Sequence, residues 1–222
     1  MAFGPIMKIS TDNFELELAP FTREETLLFL GGFEKHSVTR YLSHGVAQTK
    51  ETEEAWYDKS IKDDKSRVWG IWVVSAGKRI LIGVSSLNDI QTDKHIHQAT
   101  SGSLIFDKQY WGKGIASACH KTRALFAFEQ LGLHRIKSAV LQPNVGSRKA
   151  LEKSGYTFVY TERNDTFVEG SLTHLDCLEC INPASWAWQQ WWGSDRPPQK
   201  SIEARKRTEE ALAWARAHSQ LI

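Results

Sequence analysis

No run in the 222-residue sequence approaches the ~20 consecutive apolar residues of a membrane-spanning helix. Met1 to Ser10 also lacks the apolar centre of a secretory signal. The expectation is a cytoplasmic protein with no membrane partner. Cysteine is scarce: three residues, an odd number, argue against a disulfide framework and fit a reducing compartment. Cys177-x-x-Cys180 has no second pair and falls in a predicted strand, where successive residues alternate faces, so it reads as packing rather than zinc. His95-x-His97 points two imidazoles the same way without an evident third ligand, and no metal site is expected. An excess of one charge is missing too. Twenty-eight Lys and Arg against 26 Asp and Glu leave +2, which implies no sequence-wide attraction to nucleic acid. Internal repeats and low-complexity tracts are absent.

What is present alternates strand and helix signals. Phe14 to Leu18 alternates apolar and polar residues as a half-buried strand does, and Pro20 closes it. Thr22-Arg23-Glu24-Glu25 reads as a capping box before a helix over Thr26 to Leu30, which Gly31-Gly32 is expected to end. Helices are predicted over Lys35 to Leu42 and Thr52 to Ile61, the second with an acidic run that reads as a solvated face or as a lip for a cationic substrate. Val68 to Val74 and Arg79 to Leu87 form a hairpin through Ser75-Ala76-Gly77-Lys78. A strand from Ala99 to Phe106 follows, then a helix from Gly114 to Leu131 with Ile115, Ala118, Cys119, Thr122, Leu125 and Phe126 on one face. Gly132 stops that helix. Next come a strand over Arg135 to Leu141, a short helix over Val145 to Lys153 capped by Asn144, and two strands, Thr157 to Thr161 and Leu172 to Ile181. Asn164-Asp165 and Glu169-Gly170 are expected to join those strands. This order predicts one mixed α/β domain over 8–182 and an extension over 183–222.

Tyr110-Trp111-Gly112-Lys113-Gly114-Ile115-Ala116 is the centre of the pattern. Two glycines permit a tight turn, and the helix they open presents N–H groups without internal partners. With the positive end of the helix dipole, these form a site for a pyrophosphate. Such a turn can also merely join a strand to a helix, so its context decides.

The order strand, Trp-Gly-Lys-Gly-Ile-Ala turn, helix, strand, Pro143-Asn144-x-x-Ser147 helix, Gly155-Tyr156 resembles the GNAT superfamily of N-acetyltransferases, and within it the RimJ/RimL-like branch. The resemblance covers Ala99 to Phe158 closely and Phe14 to Ile181 more loosely, including His174-x-Asp176. It implies a single GNAT-like domain with a mixed, mostly antiparallel sheet flanked by helices, and acetyl-coenzyme A as cofactor. Gly114 and Ala116 match the last two fixed positions of the superfamily's phosphate signature, and Trp111 replaces the first. The backbone from Gly112 through Lys113, Gly114 and Ile115 to Ala116 would hold the pyrophosphate, with Lys113 adding a charge. Leu104, Ile105 and Phe106 would bond the pantetheine arm, with a backbone N–H at about Leu104 stabilising the oxyanion. Asn144 matches the asparagine that contacts the arm. Ser147 matches a serine proposed to protonate the leaving thiolate, whereas the tyrosine of other superfamily members is replaced here by Leu151. Asn144 and Ser147 are spaced equally as a helix cap and its third residue.

The general base has no such match. Where RimL-like members often carry a glutamate, two residues before the strand glycine Gly102, this chain has Thr100. His95, His97, Asp89 and His174 substitute by location only, and ordered water is a further route. The resemblance implies direct attack of a primary amine on the thioester, the acceptor being a protein or peptide α-amine. A small amine such as a polyamine, aminoglycoside or antimetabolite is the alternative, with Asp89, Asp93, Glu162 and Asp165 as a mouth lining. A non-catalytic acyl-coenzyme A-binding module with a protein partner is a third. After Pro183 the resemblance stops. Trp186, Trp188, Trp191 and Trp192 are expected to pack on a core, to form a homodimer or other partner surface, or to wall the acceptor site. Ser201 to Ser219 is expected as a solvated helix lying across the domain.

Overall fold

The computed structural model describes residues 3–42, 48–186, 188, 192 and 196–222. Among the described residues nine strands, β1 (Met7–Ser10), β2 (Glu15–Ala19), β3 (Arg67–Ser75), β4 (Lys78–Gln91), β5 (Gln98–Ile105), β6 (Arg135–Leu141), β7 (Thr157–Val168), β8 (Ser171–Ile181) and β9 (Ser219–Leu221), make one sheet in the order β7-β8-β6-β5-β4-β3-β2-β1-β9. All neighbours run antiparallel except β5 and β6. The central hairpin joins β3 (Arg67–Ser75) to β4 (Lys78–Gln91) through Ala76 and Gly77, both at positive φ, which matches the twist of the flanking strands. β5 (Gln98–Ile105) and β6 (Arg135–Leu141) lie where expected, with α4 (Ile115–Glu129) crossing between them.

Three expectations are corrected. The Thr22 and Glu25 side chains do cap each other's backbone N–H groups, and a 3₁₀ turn over Glu25–Phe29 follows. It runs straight into α1 (Leu30–Phe33), so Gly31-Gly32 lies inside the helix rather than ending it. A side chain on Gly32 would overlap Phe106, and the glycine therefore serves close packing of α1 on the end of β5. β7 (Thr157–Val168) continues past Thr161 to pair with β8 (Ser171–Ile181). Asn164-Asp165 is an irregularity within β7, the register shifting between Glu162 and Thr166 while Asn164 takes φ +54°, a conformation asparagine tolerates. Glu169 and Gly170 make the turn. Last, the acidic run of α3 (Lys50–Ser60) is not all solvated: Glu53 is buried. α2 (His36–Thr39) is one short turn, and α3 starts from a reciprocal Thr49–Thr52 cap.

Helices cover both faces of the sheet. One core joins Trp69, Ile71, Ile82 and Ile136 to Ile115, Cys119 and Ala127 of α4. The other joins Trp72, Leu81 and Phe106 to Phe21, Phe29 and Val38. α6 (Gln199–His218) packs on α4 and buries Ala204, Thr208, Ala211, Leu212 and Ala215, so it has a core face that its charged composition conceals. It then feeds β9 (Ser219–Leu221), which pairs with β1 (Met7–Ser10) beyond β2 (Glu15–Ala19). Neither β1 nor β9 was expected from the sequence, both being too short for a periodicity. Of the tryptophans, Trp188 is buried, Trp192 stands edge-on to it, and Trp186 is half-exposed against His134. Trp191 lies outside the described residues.

Candidate active site

β5 and β6 pair only over Gln98–Thr100 and Arg135–Lys137. Beyond them β5 stays with β4 while β6 stays with β8, so the parallel strands part and leave a V-shaped opening. Which backbone groups face it follows from the alternation of an antiparallel ladder. The Phe106 N–H donates to Ile82 of β4, and Leu104 sits opposite Val84 in the same phase. The His97 carbonyl accepts from His134 and Arg135 at the start of β6, and the Ile105 carbonyl accepts from Trp111. Odd-numbered residues of β5 therefore face the opening. The sequence expectation placed Leu104 and Phe106 there, but their N–H groups are turned to β4. Ser103 and Ile105 are the residues past the paired segment whose N–H groups face the gap.

The glycine turn stands at the wide end. Asp107 caps a 3₁₀ turn over Lys108–Tyr110, and the Trp111 indole Nε1 donates to the Ile105 carbonyl at 2.8 Å, tying the turn to the end of β5. Gly112 and Gly114 hold φ of +73° and +82°, and a side chain on either would meet no atom within 4 Å. Their glycine is required by backbone conformation, and the space over the turn is open. The first internal bond of α4 is Ala118 N–H to the Gly114 carbonyl, so the Ile115 and Ala116 N–H groups are left for a ligand. Lys113 lies about over Phe14 and Tyr110, its Nζ 5.8 and 5.9 Å from the ring centroids.

Asn144 caps α5 (Val145–Glu152), its side chain accepting from the Ser147 N–H at 3.3 Å. Both residues are half-buried, and no hydrogen bond engages the Ser147 hydroxyl among the described residues. Tyr41 donates to the Pro143 carbonyl beside them, and Glu169 at the β7–β8 turn meets His36 and Arg40 of the α2 region. Leu151 is buried in the core. Asp176 anchors α5 through Arg148 and accepts from Thr161 and Gln142. Burial pushes its carboxyl up, but those two hydrogen bonds and the guanidinium outweigh burial and hold it below the usual carboxylate range.

The residues named as substitute bases do not gather at Gly102. His97 stacks on His134 with ring centroids 4.8 Å apart, and with Asp93, His95 and Trp186 they line an open groove at the opposite end of β5 from the glycine turn. Among the described residues no cluster could hold a metal. His174 accepts from the Asn164 N–H, Glu162 from the Tyr160 hydroxyl, and Asp89 from Gln91. Asp165 is exposed on β7.

Two groups were missed in the sequence. On the sheet face of Val84 and Leu104, Ser86 and Asn88 stand opposite Gly102 and Thr100. A Cβ on Gly102 would lie 2.6 Å from the Ser86 Oγ and 3.3 Å from the Asn88 Nδ2, so these polar ends cover the glycine. Asn88 donates to Ser86, leaving its own carbonyl oxygen as an acceptor beside Thr100. The signal was the polar pair Ser86 and Asn88 continuing the alternation that starts at Val84. On the other face, Arg123 and His120 of α4 enter the core, both almost fully buried. Arg123 donates to the Gly102 carbonyl, Ser85 and His120. Burial, and then the adjacent guanidinium, hold His120 well below its ordinary pKa, so the ring is neutral and accepts through Nδ1. Two polar residues at i and i+3 inside an apolar stripe were the available sign.

A family model of the acetyltransferase (GNAT) domain matches residues 15–157. The chain is similar to the probable N-acetyltransferase YjcK of Bacillus subtilis (strain 168), 28% identical over 151 residues that span 68% of this chain and 81% of that protein. Its fold is similar to the spermidine N-acetyltransferase of Vibrio cholerae in complex with CoA and spermine, with TM-score 0.66, 21% identity, and coverage of 75% of this chain and 95% of the other. A further crystal structure, provisionally named an acetyltransferase, matches with TM-score 0.66 and 19% identity over 98% of both chains. The chain belongs to the GNAT family and is an acetyl-coenzyme A-dependent N-acetyltransferase.

Proposed function

We propose that this enzyme acetylates the α-amine at a protein or peptide N-terminus, in keeping with a RimJ/RimL-like member of the family, and that the unit doing so is 8–182 with 183–222 as its extension. The carrying observation is the floor around Gly102. Its ladder positions are Thr100, Ser86 and Asn88, none of them a carboxylate. An α-amine has a pKa of about 7.7–8.0 and is partly neutral at physiological pH, whereas an alkyl amine near 10.4 is almost wholly protonated. A water held by neutral side chains suffices for the first and is a poor base for the second.

On this reading the pyrophosphate lies on the turn from Gly112 to Ala116, and the pantetheine arm fills the opening against Ser103, Ile105, Asn144 and Ser147. The amine nitrogen attacks the thioester carbon, and the carbonyl electron pair moves to oxygen, which the Ser103 N–H stabilises. Asn88 and Thr100 orient the amine and the water that accepts its proton. Collapse of the adduct expels the coenzyme A thiolate, which takes a proton from solvent through Ser147. When bound, acetyl-coenzyme A supplies the activated acetyl group.

A polyamine acceptor is the second reading, motivated by the fold likeness to the Vibrio cholerae enzyme. Thiol release from acetyl-coenzyme A with tripeptides of varied first residue, spermidine, spermine and aminoglycosides separates the two. Peptides are expected to give the highest kcat/KM, rising between pH 7 and 8 as the α-amine deprotonates. A higher kcat/KM for spermidine than for every peptide would replace this reading with the second.

A further inference from the structure

Arg123 is fully buried. Among the described residues no carboxylate pairs with it, and its Nε makes no hydrogen bond. A guanidinium stays charged at any physiological pH, and burying one without a counter-charge is costly. Its three bonds go to neutral acceptors: Ser85 Oγ at 2.7 Å, the Gly102 carbonyl at 2.7 Å and His120 Nδ1 at 2.6 Å. His120, held neutral, removes no charge. Tyr156, buried in the same region as Ser101, adds no counter-charge either: burial raises its phenol above the ordinary value although the guanidinium opposes that shift, so the ring stays neutral. A leucine at position 123 would serve the core better, so packing does not explain the residue.

The bond to Gly102 does explain it. The Gly102 carbonyl and the Ser103 N–H belong to one peptide unit, and the ladder alternation turns that N–H into the opening between β5 and β6. A cation on the carbonyl draws electron density through the amide and makes the N–H at its other end a stronger donor. The positive charge also lies on the α4 side of the sheet, beneath the segment where an oxyanion forms, in a region from which water is excluded. We propose that Arg123 is a positioning residue for acetyl transfer, polarising the Gly102–Ser103 peptide so that the Ser103 N–H stabilises the oxyanion of the tetrahedral intermediate. His120 holds the guanidinium in place from its own helix, three residues away. The inference rests on the reading that the thioester oxygen meets the Ser103 N–H.

The test uses the full chain and its variants Arg123→Gln, Arg123→Met and Arg123→Lys, with folding checked by circular dichroism. Glutamine keeps a donor and loses the charge, methionine loses both, and lysine keeps the charge. Steady-state thiol release is expected to show kcat lowered about tenfold in Arg123→Gln and further in Arg123→Met, with KM for acetyl-coenzyme A within about twofold, and kcat largely rescued in Arg123→Lys. A role in packing alone predicts the reverse order, methionine being tolerated best. Infrared difference spectra of bound acetyl-coenzyme A carrying a ¹³C-labelled carbonyl supply the second readout. In the wild type the carbonyl stretch should move to lower frequency, and in the two uncharged variants that shift should shrink. An unshifted band in the wild type would remove the underlying placement of the thioester. A wild-type shift retained in full by a folded uncharged variant would overturn the role of Arg123 alone. Should neither uncharged variant fold, Arg123→Lys decides: a retained shift supports the proposal, and loss of the shift in that folded variant overturns it.

Discussion

Gly114 is the residue at which backbone conformation and the proposed pyrophosphate site coincide. Its φ of +82° disfavours any side chain, although a Cβ there would meet no atom within 4 Å. Gly114→Glu adds an anion where the pyrophosphate is placed, and acetyl-coenzyme A binding measured by calorimetry is expected to be lost; binding at wild-type strength would remove the turn from the site. Ser147→Ala should lower kcat more than it raises KM for acetyl-coenzyme A, because the hydroxyl is assigned to the leaving thiolate. Unchanged kcat would dismiss it from that role. Two buried groups set the pH response of stability with opposite sign. Burial raises the Glu53 carboxyl from 4.5 to about 7, so between those values the folded chain keeps a proton that the unfolded chain has lost, and stability falls as pH rises through this window. His120 lies below 6.5, so as pH falls under that value the unfolded chain takes up a proton that the folded chain refuses, and stability falls again. Glu53→Gln is expected to flatten the first limb and leave the second; urea midpoints across pH 4.5 to 7.5 check this, and an unchanged profile counts against it.

At the scale of elements, the site is a junction of strand end, turn and helix start held by a few local bonds. The Trp111 Nε1 bond to the Ile105 carbonyl ties the turn to the end of β5. Trp111→Phe removes that donor while keeping the ring. A loss of about 1 kcal/mol corresponds to roughly a fivefold rise in KM for acetyl-coenzyme A. Thermal stability should change little because Trp111 is partly exposed. A large drop in melting temperature with KM unchanged would instead make the bond structural. The β7–β8 turn and α2, joined by Glu169 to His36 and Arg40, stand beside Tyr41 and Pro143 at the edge of the same site.

For the whole molecule, the chain ends close the fold. α6 covers α4, and β9 pairs with β1, so the first and last strands build one edge of the sheet. Leu212 is buried against that core, and Leu212→Ala is expected to cost about 2–5 kcal/mol in denaturant unfolding; a cost below about 0.5 kcal/mol would mean that α6 is not part of the cooperative unit. The sequence by itself determined the Ala76-Gly77 hairpin, the Gly112–Gly114 turn, the Asn144 cap and the stop at Gly132, and with them the family. Each is a local conformational requirement written in the residues that meet it, and the residues need no distant partner to be read. Tertiary structure decided the rest. Gly31-Gly32 reads as a helix stop until Phe106 is seen pressed against it, and the role of Arg123 is visible only once α4 lies on the sheet and the guanidinium reaches Ser85 and the Gly102 carbonyl. Leu104 and Ser103 differ only in which way their N–H groups point, and that was set by the register of β5 on β4, a long-range pairing that the Ala99–Phe106 stretch does not encode in its own composition. The phosphate end of the proposed site is therefore legible in the chain, whereas its proposed reacting end is made by contacts between segments far apart in sequence.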